Sequence, residues 1–269
     1  MRISLVVSAM LVAAVPLAAQ SEAPIQGRGG GGGEQGLATV NLGGGSRWRG
    51  VVPDDPAPRL PDGTIDLAGV WQGGGPSQNI AAGLAEGETV PILPAAKTFM
   101  DSRTALDNTE AHCLPAGVPR VPSNYPWRLV QSPTHTQATH IFMLFEANIH
   151  SFRQFFMDGR GHPDDLDPSW YGHSTGRWDG DTLVVDTVGF TSRSPLDGAG
   201  HPRTEQMHVI ERWTRKDVGH MVNEITLDDP GAYSRPFDIT FEATLRVGDE
   251  LMEYICNENN QIGIAGGYH

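Results

Sequence analysis

The sequence has few basic residues for its length, and this shortage excludes one large class of partners. Its 269 residues include 19 Lys and Arg against 32 Asp and Glu, which gives a formal net charge of −13 at pH 7. A protein this acidic is repelled by phosphate backbones and by anionic lipid surfaces. We therefore predict no nucleic-acid partner, and we expect the acidic residues mainly to keep the surface soluble.

Long apolar runs are absent outside the first residues of the chain. Arg2 precedes the apolar stretch Ile3 to Val15, and small residues follow at Ala18 and Ala19. This pattern is typical of a secretory signal peptide over residues 1–20, with an uncleaved anchor as the alternative. No other stretch reaches the roughly 20 apolar residues of a spanning helix. We predict a periplasmic or secreted protein that is not integral to the membrane.

Cysteine is also scarce, since Cys113 and Cys256 are the only two. Neither lies in a C-x-x-C pair, which disfavours a cysteine-based metal site. In an exported protein, an even number of widely spaced cysteines indicates one disulfide. Two free buried thiols are the alternative.

Glycine and proline, in contrast, are abundant and suggest the domain organisation. Residues 21–52 contain GRGGGGGEQG and GGGSRWRG, which cannot build a core, so we predict a flexible linker there. The remaining residues, 53–269, are enough for one domain. The 33 Gly and 20 Pro of the chain favour many turns and an all-β fold. One short amphipathic helix is expected from Pro94 to Leu106.

Alternation of apolar and polar residues predicts about nine strands, nearly all antiparallel. The clearest is Phe237 to Arg246, whose apolar residues all occupy one face. Closure into an up-and-down barrel of about eight to ten strands would remove exposed edges, and a β-sandwich is the alternative. A barrel of this size has room for one small ligand. The other predicted strands are Asp66–Trp71, His140–Glu146, Ile149–Phe156, the two halves of Tyr171–Thr187, Met207–Arg215, His220–Asp228 and Leu251–Cys256.

The strongest local signal is a hairpin in the stretch YGHSTGRWDGDTLVVDT, which runs from Tyr171 to Thr187. An Asp-Gly pair between two strand-forming runs indicates a two-residue turn. If Asp179 and Gly180 form that turn, His173 lies directly opposite Asp186. Both side chains then share one face of the hairpin, with Trp178, Leu183 and Val185 on the other.

The His173–Asp186 pair is the first candidate for chemistry. A carboxylate that fixes the tautomer of an imidazole is the arrangement used in general acid–base catalysis. Glu211 is the third candidate catalytic residue, because it lies in phase with apolar residues, where desolvation would raise its pKa. Ser174 points to the opposite face and no G-x-S-x-G motif is present, which disfavours a serine hydrolase. A purely structural cross-strand contact is the alternative for the pair.

A second hairpin supplies candidate ligand-binding residues. His140–Glu146 and Ile149–Phe156 flank Ala147-Asn148, and the simplest register places Glu146, Phe142, Arg153 and Phe155 on one face. An internal carboxylate and guanidinium require a partner or a wet pocket. The predicted ligand-binding residues are Glu146, Arg153, Arg160, His162 and Arg177.

Simpler roles remain open for several of these residues. Glu211 and Arg153 would form a salt bridge with each other if they met inside the fold. Arg160 and His162 could instead anchor the loop Asp158-Gly-Arg-Gly-His-Pro163.

We predict no cofactor and no metal site, although ten His are present. None forms an H-x-x-x-H or H-E-x-x-H pattern. Convergence of His140 with His150, or of His162, His173 and His201, is the alternative.

Two resemblances accompany these patterns. Gly69-Val70-Trp71 resembles the opening of lipocalin-like barrels, in which the Trp closes one end of the barrel. From about Leu60 to Asn260, the chain resembles a widespread family of exported bacterial proteins of unassigned function. The resemblance rests on the hairpin stretch above, where members more usually read Trp-Glu-Gly-Asp for Trp178-Asp-Gly-Asp181, and on the two cysteines. It implies no particular activity.

Three functions follow from these observations. The first is an exported β-barrel that binds a small, partly apolar ligand, with an acidic group as one option, inside its cavity. The second is an enzyme of the lyase or isomerase type that uses His173 and Asp186 in that cavity. The third is an envelope interaction module, which a filled barrel interior would favour. An outward, solvated His173 would count against the enzyme in the cavity.

Overall fold

Nine strands close into a barrel in the computed structural model, which describes residues 52–134, 137–146 and 151–258. The predicted signal peptide and all but the last residue of the predicted linker lie outside the described residues. Strand order around the barrel follows the chain. The strands are β1 Gly69–Gly73, β2 Pro126–Thr134, β3 Gln137–Phe145, β4 Phe152–Phe156, β5 His173–Asp179, β6 Thr182–Val188, β7 His208–Arg215, β8 His220–Asp228 and β9 Phe237–Leu245.

The all-β barrel prediction is confirmed, with one departure from the up-and-down pattern. β1 pairs antiparallel with β9, which closes the barrel. β4 and β5 are parallel, with Phe155 opposite Ser174 and Phe156 opposite Thr175. A parallel pair cannot be joined by a tight turn, and here residues 157–172 make the connection. This long connection carries His162, which becomes important below.

One predicted strand is absent from the structure, and one observed strand was not predicted. The expected strand Leu251–Cys256 is wrong, since this segment has no strand structure and ends in the short 3-10 turn Cys256–Glu258. β2 was not predicted, because Pro126 and Pro133 punctuate it and prolines are depleted in strands.

The helical content is small, as predicted. α1 spans Pro94–Ser102 and begins with proline at its first position, where a missing N–H costs nothing. It is shorter than expected because Arg103 is already extended. α2, Arg120–Asn124, is a second short helix. No helix of the described part is long and apolar enough to cross a membrane.

Side chains occupy the barrel interior. Trp71 stacks on Trp127 with ring centroids 6.1 Å apart, and Trp127 meets the edge of Trp213 at 5.3 Å. Trp213 in turn contacts Phe241 at 5.6 Å. Because β2 and β7 are not neighbours, the Trp127–Trp213 contact crosses the inside of the barrel. All three Trp side chains are fully buried, so they fill this part of the interior.

The predicted disulfide is confirmed. Cys113 and Cys256 are bonded and close a loop of 143 residues. Cys113 follows the 3-10 turn Thr109–His112, and Cys256 begins the last one. The bond therefore fastens the end of the described chain to the segment that precedes β2.

The turn of the β5–β6 hairpin differs from the predicted turn. Asp179 pairs with Thr182, so the two turn residues are Gly180 and Asp181. Gly180 has φ +60°, a left-handed conformation that glycine adopts without strain. The pairing is thereby shifted by two residues, and His173 lies opposite Val188.

This shift leaves the predicted faces unchanged, because side chains alternate with a period of two. Asp186 lies opposite Thr175 and shares a face with His173, although the two are not a direct cross-strand pair. Ser174 is buried and faces the barrel interior. His173 and Asp186 therefore lie on the outer wall.

In the β3–β4 hairpin, the predicted register is wrong by one residue. Met143 pairs with Arg153, and Ile141 pairs with Phe155. A slip of one residue exchanges the two faces of a strand. Arg153 and Phe155 thus point inward, whereas Phe142 lies on the outer wall.

Candidate functional site

Four polar side chains meet on the outer wall of β5, β6 and β7, and we call them the imidazole cluster: His162, His173, Asp186 and His208. β5 contributes His173 at its first residue, β6 contributes Asp186, and β7 contributes His208 at its first residue. His162 is supplied by the connection between β4 and β5. All four are partly exposed.

The cluster is a continuous chain of short polar contacts. His173 Nδ1 lies 2.8 Å from His162 Nδ1. The other nitrogen of that ring, His162 Nε2, lies 3.2 Å from Asp186 Oδ1. His208 Nε2 lies 2.8 Å from the same carboxylate oxygen. His162 therefore connects His173 to Asp186, between which a direct contact was predicted.

The carboxylate fixes the tautomers along this chain. An ionised carboxylate only accepts hydrogen bonds, so His162 and His208 both donate through Nε2–H. In neutral His162 the Nδ1 atom then carries a lone pair and accepts from His173 Nδ1–H. His173 in its neutral form is left with a lone pair on Nε2.

The surroundings of His173 favour its neutral form. Desolvation lowers the pKa of His173 below its ordinary value of 6.5, and the neighbouring His162 and Arg160 lower this pKa further. Burial disfavours the charged imidazole, and the positive charge of Arg160, or of His162 when that ring is protonated, repels a proton on it. At neutral pH, His173 is therefore a free base.

A row of rings extends from the imidazole cluster across β4 and β3, and we call it the aromatic band: His173, Phe156, His140, Phe142 and Phe152. Phe156 stacks on His173 with ring centroids 4.9 Å apart and planes 19° apart. The edge of His140 meets Phe156 at 5.5 Å. His140 stacks on Phe142 at 5.9 Å, and Phe142 contacts Phe152 at 6.1 Å. The side chain of Phe152 is 55% exposed.

Arg160 lies at the junction of the aromatic band and the imidazole cluster. Its guanidinium carbon is 4.2 Å from the centroid of the Phe156 ring, which is a cation–π contact. Arg160 Nε donates to Asp158 at 2.9 Å, and its Nη2 also pairs with Asp158. The residue thus has a loop-anchoring contact and a position beside the rings.

Arg153 and Glu211 lie inside the barrel and bind each other. Arg153 Nη2 donates to Glu211 Oε2 at 2.6 Å, and both side chains are at most 1% exposed. Asn223 Nδ2 donates to the other carboxylate oxygen at 3.2 Å. Arg153 Nη2 also lies 3.3 Å from Thr187 Oγ1. These contacts position the pair within the packed interior, on the side of the wall opposite to His173.

The two remaining predicted ligand-binding residues lie away from the cluster. Glu146 is buried, and its Oε2 accepts from the backbone N–H of Met252 at 3.0 Å. Arg177 is exposed on the outer wall of β5, four residues from His173. That spacing corresponds to about 13 Å along a strand.

No group of three or more His, Cys, Asp or Glu within the described residues is arranged to hold a metal ion. His162 turns a different nitrogen toward each of its partners, as expected for a hydrogen-bonded chain. His201 lies elsewhere and contacts Asp197 through Nδ1 at 2.6 Å. His150 lies outside the described residues.

A polar cleft of about 350 Å³ lies between residues 103–108 and 195–200. Its lining comes from connecting segments and not from barrel strands. The buried carboxylate of Asp197 borders it, but this carboxylate already accepts from Ile80 N and from His201.

His208 and Phe156 belong to the site but were not predicted from the sequence. Alternation along β7 places His208 on the face opposite to buried Glu211. The contact between His208 and Asp186, however, follows only from the β6–β7 pairing. Phe156 faces outward because it alternates with inward Phe155 along β4, and its contact with His140 requires the observed β3–β4 pairing.

No protein-family model, no curated protein and no solved structure matches this chain. The two resemblances described above remain predictions.

Proposed function

We propose that this protein binds a small molecule with a flat apolar part and an acidic group on its outer wall, across the aromatic band and Arg160. The observation that carries the proposal is the row of contacting rings together with the Arg160 guanidinium over Phe156, next to the His173 end of the row. Flat apolar groups gain most by stacking on exposed rings, and a guanidinium pairs well with a carboxylate. Compared with the sequence-based hypothesis, the ligand class is kept and the site moves from the cavity to the wall.

The packing of the barrel supports this change of location. Three Trp side chains and the Arg153–Glu211 pair occupy the interior, and both charged groups there are already neutralised by each other. A ligand inside would have to displace these side chains. The aromatic residues of the wall, of which Phe152 is exposed and the others partly exposed, can take up a ligand without displacing the interior side chains.

The charges around the band favour an acid over a base. Arg160 is cationic, and protonation of His173 below its lowered pKa adds positive charge. Asp158 already occupies one edge of the Arg160 guanidinium, so an incoming carboxylate must share or replace that contact. We therefore expect weak to moderate affinity that increases as the pH falls through the lowered pKa of His173.

The proposal is tested by measuring the binding of 2-naphthoate to the unaltered protein and to its variants. Phe156→Ala removes the ring that contacts His173, His140 and Arg160, and should weaken probe binding about tenfold or more, since stacked aromatic contacts contribute about 0.5–1.5 kcal/mol beyond their buried area. Isothermal titration calorimetry measures the dissociation constants at fixed salt and pH.

Phe99→Ala is the matched control. Phe99 is an exposed Phe, 53% accessible, and like the partly exposed Phe156 it has an arginine near its ring, with Arg103 5.5 Å from the centroid. It has no histidine ring contact in the described part of the chain. Equal weakening by Phe99→Ala and Phe156→Ala, or equal binding of 2-naphthamide, would contradict the proposed site or its preference for an acid.

An envelope interaction module is the second candidate, and the filled interior favours it. In that case the aromatic band would contact a protein and not a small molecule. The Cys113–Cys256 disulfide supports either function in an oxidising compartment outside the cytoplasm.

A further inference from the structure

Two ring nitrogens of the imidazole cluster, His173 Nε2 and His208 Nδ1, have no hydrogen-bond partner among the described residues. Asp186 Oδ1 lies 2.8 Å from His208 Nε2 and 3.2 Å from His162 Nε2, so it holds two N–H donors. His162 Nδ1 then accepts from His173 Nδ1–H at 2.8 Å. In the neutral rings both of these nitrogens keep a lone pair, and of the two rings only His173 stacks on the aromatic band.

The position of this lone pair suits a reaction on a molecule that lies on the aromatic band. The ring of His173 is partly exposed and nearly parallel to that of Phe156, 19° between planes. The Nε2 lone pair lies in the plane of this ring, so a flat ligand that lies beside the edge of His173, at that end of the band, would meet it. A base must be within hydrogen-bond reach of the proton that it removes.

We infer that His173 Nε2 is the general base of a proton-transfer site for flat carbon acids bound on the aromatic band. In this assignment His162, Asp186 and His208 are positioning residues, which hold His173 as the Nδ1–H tautomer. His173 removes a proton from carbon, and the electron pair of that C–H bond moves into the bound molecule. The inference rests on the proposed binding function, whose ligand class it narrows to molecules with an acidic C–H bond.

Other charged groups near His173 also affect its protonation. Arg160, on the same connection as His162, repels a proton on His173. Asp158 partly neutralises Arg160. From β6 and β7, Asp186 and His208 act through His162. The base is expected to be active above its lowered pKa and to lose activity as the pH falls and the imidazole becomes protonated.

The probe for this inference is 5-nitrobenzisoxazole, a flat and neutral carbon acid. His173 Nε2 removes the proton of the ring C–H bond, and the electron pair of that bond turns the C=N double bond into the triple bond of a nitrile. The N–O bond breaks at the same time, and its electron pair stays on the oxygen of a coloured phenolate. The proton passes from His173 to water, so no oxidant or co-reactant is needed. The rate is followed by absorbance over a range of pH.

The expected results depend on the tautomer of His173. His173→Ala should lower the rate about 10²-fold, the lower end of the usual contribution of general bases. Asp186→Asn should lower it similarly, because an amide can donate to His162 Nε2 and reverse the donor direction along the chain, which blocks His173 Nε2 with a proton. Nitrogen chemical shifts of the imidazoles measured by NMR would report this change of tautomer directly, whether or not turnover occurs.

His220→Ala is the matched control, because His220 is another partly exposed histidine with its Nδ1 2.8 Å from a carboxylate, that of Asp217. This variant should keep the full rate.

A rate that is unchanged in His173→Ala, or a His173 that carries its proton on Nε2 in the unaltered protein, would overturn the inference. Intact His173-dependent turnover without 2-naphthoate binding would instead overturn only the acid preference of the proposed function. Naphthoate binding without such turnover would leave that function standing and sink this inference.

Discussion

At the scale of single residues, His173 and His220 differ in the groups that surround the imidazole. His173 is surrounded by a ring, an imidazole and a guanidinium, and its pKa is lowered. His220 contacts a carboxylate directly. The same side chain is thus a free base at one place and a carboxylate-bound imidazole at another, which is why its partners and not its presence indicate function.

The lowered pKa of His173 gives a prediction for stability against pH. The folded pKa lies below the unfolded value of about 6.5, so between these two values the unfolded chain binds more protons than the folded one. His173 therefore reduces the free energy of unfolding as the pH falls through this window, and contributes no pH dependence above it.

His173→Gln should remove this contribution. The loss of unfolding free energy between about pH 7.5 and about pH 5, measured by urea denaturation, should be smaller in the variant than in the unaltered protein. An equal or larger loss in His173→Gln would contradict the assigned direction of the shift. His220→Gln serves as the comparison for the loss of a surface histidine.

The Arg153–Glu211 pair gives a second prediction at this scale. Arg153→Met leaves a buried carboxylate without its cation, and should cost about 3–5 kcal/mol of unfolding free energy. The double variant Arg153→Met/Glu211→Leu removes both charges and should recover much of this loss. Chemical denaturation measures both variants, and a double variant as unstable as the single one would contradict the account of the pair as mutually dependent charges.

At the scale of elements, the β5–β6 hairpin demonstrates what a pattern in the sequence can and cannot specify. Alternation predicted correctly that His173 and Asp186 lie on one face and Trp178 on the other. The turn was placed one residue too early, and this moved every predicted pair by two residues. A shift by two preserves the face, so the site remained on one side while the direct His173–Asp186 contact did not form.

The β3–β4 hairpin is a harder case for the same reason. Apolar residues occupy both faces of both strands, so the pattern does not distinguish inside from outside. The expected register differs by one from the observed register, so Arg153 and Phe142, which were expected on one face, lie on opposite faces. His162 was beyond prediction as a link, since the 157–172 connection brings it to the cluster only after β4 and β5 pair in parallel.

Gly180, in the turn of the β5–β6 hairpin, gives a prediction at this scale. Gly180 has φ +60° and nothing within 4 Å of an added Cβ, so only backbone strain opposes a side chain there. Gly180→Ala should cost about 1 kcal/mol of unfolding free energy. Gly161→Ala, at a position with equally open space and no positive φ, should cost less in the same thermal or chemical denaturation experiment. Equal costs would contradict a role for the turn conformation.

At the scale of the whole molecule, the barrel is a packed support with its candidate chemistry on the outside. Side chains fill the interior, and the disulfide closes a loop of 143 residues, for which loop-closure entropy predicts a stabilisation of about 4–5 kcal/mol. Rigid strands hold three of the four members of the imidazole cluster. The sequence predicted the closed barrel and the disulfide, while the position of the site depended on two strand registers.

The most direct test of the outer-wall site is to locate the bound probe. NMR titration with 2-naphthoate can compare Phe156 and His173 on the wall with the Trp213 indole and the Asn223 amide in the interior. We predict chemical-shift changes that concentrate at the aromatic band and leave the two interior groups unchanged. Changes centred on Trp213 and Asn223, with the wall unaffected, would show that the ligand enters the barrel and would contradict the account.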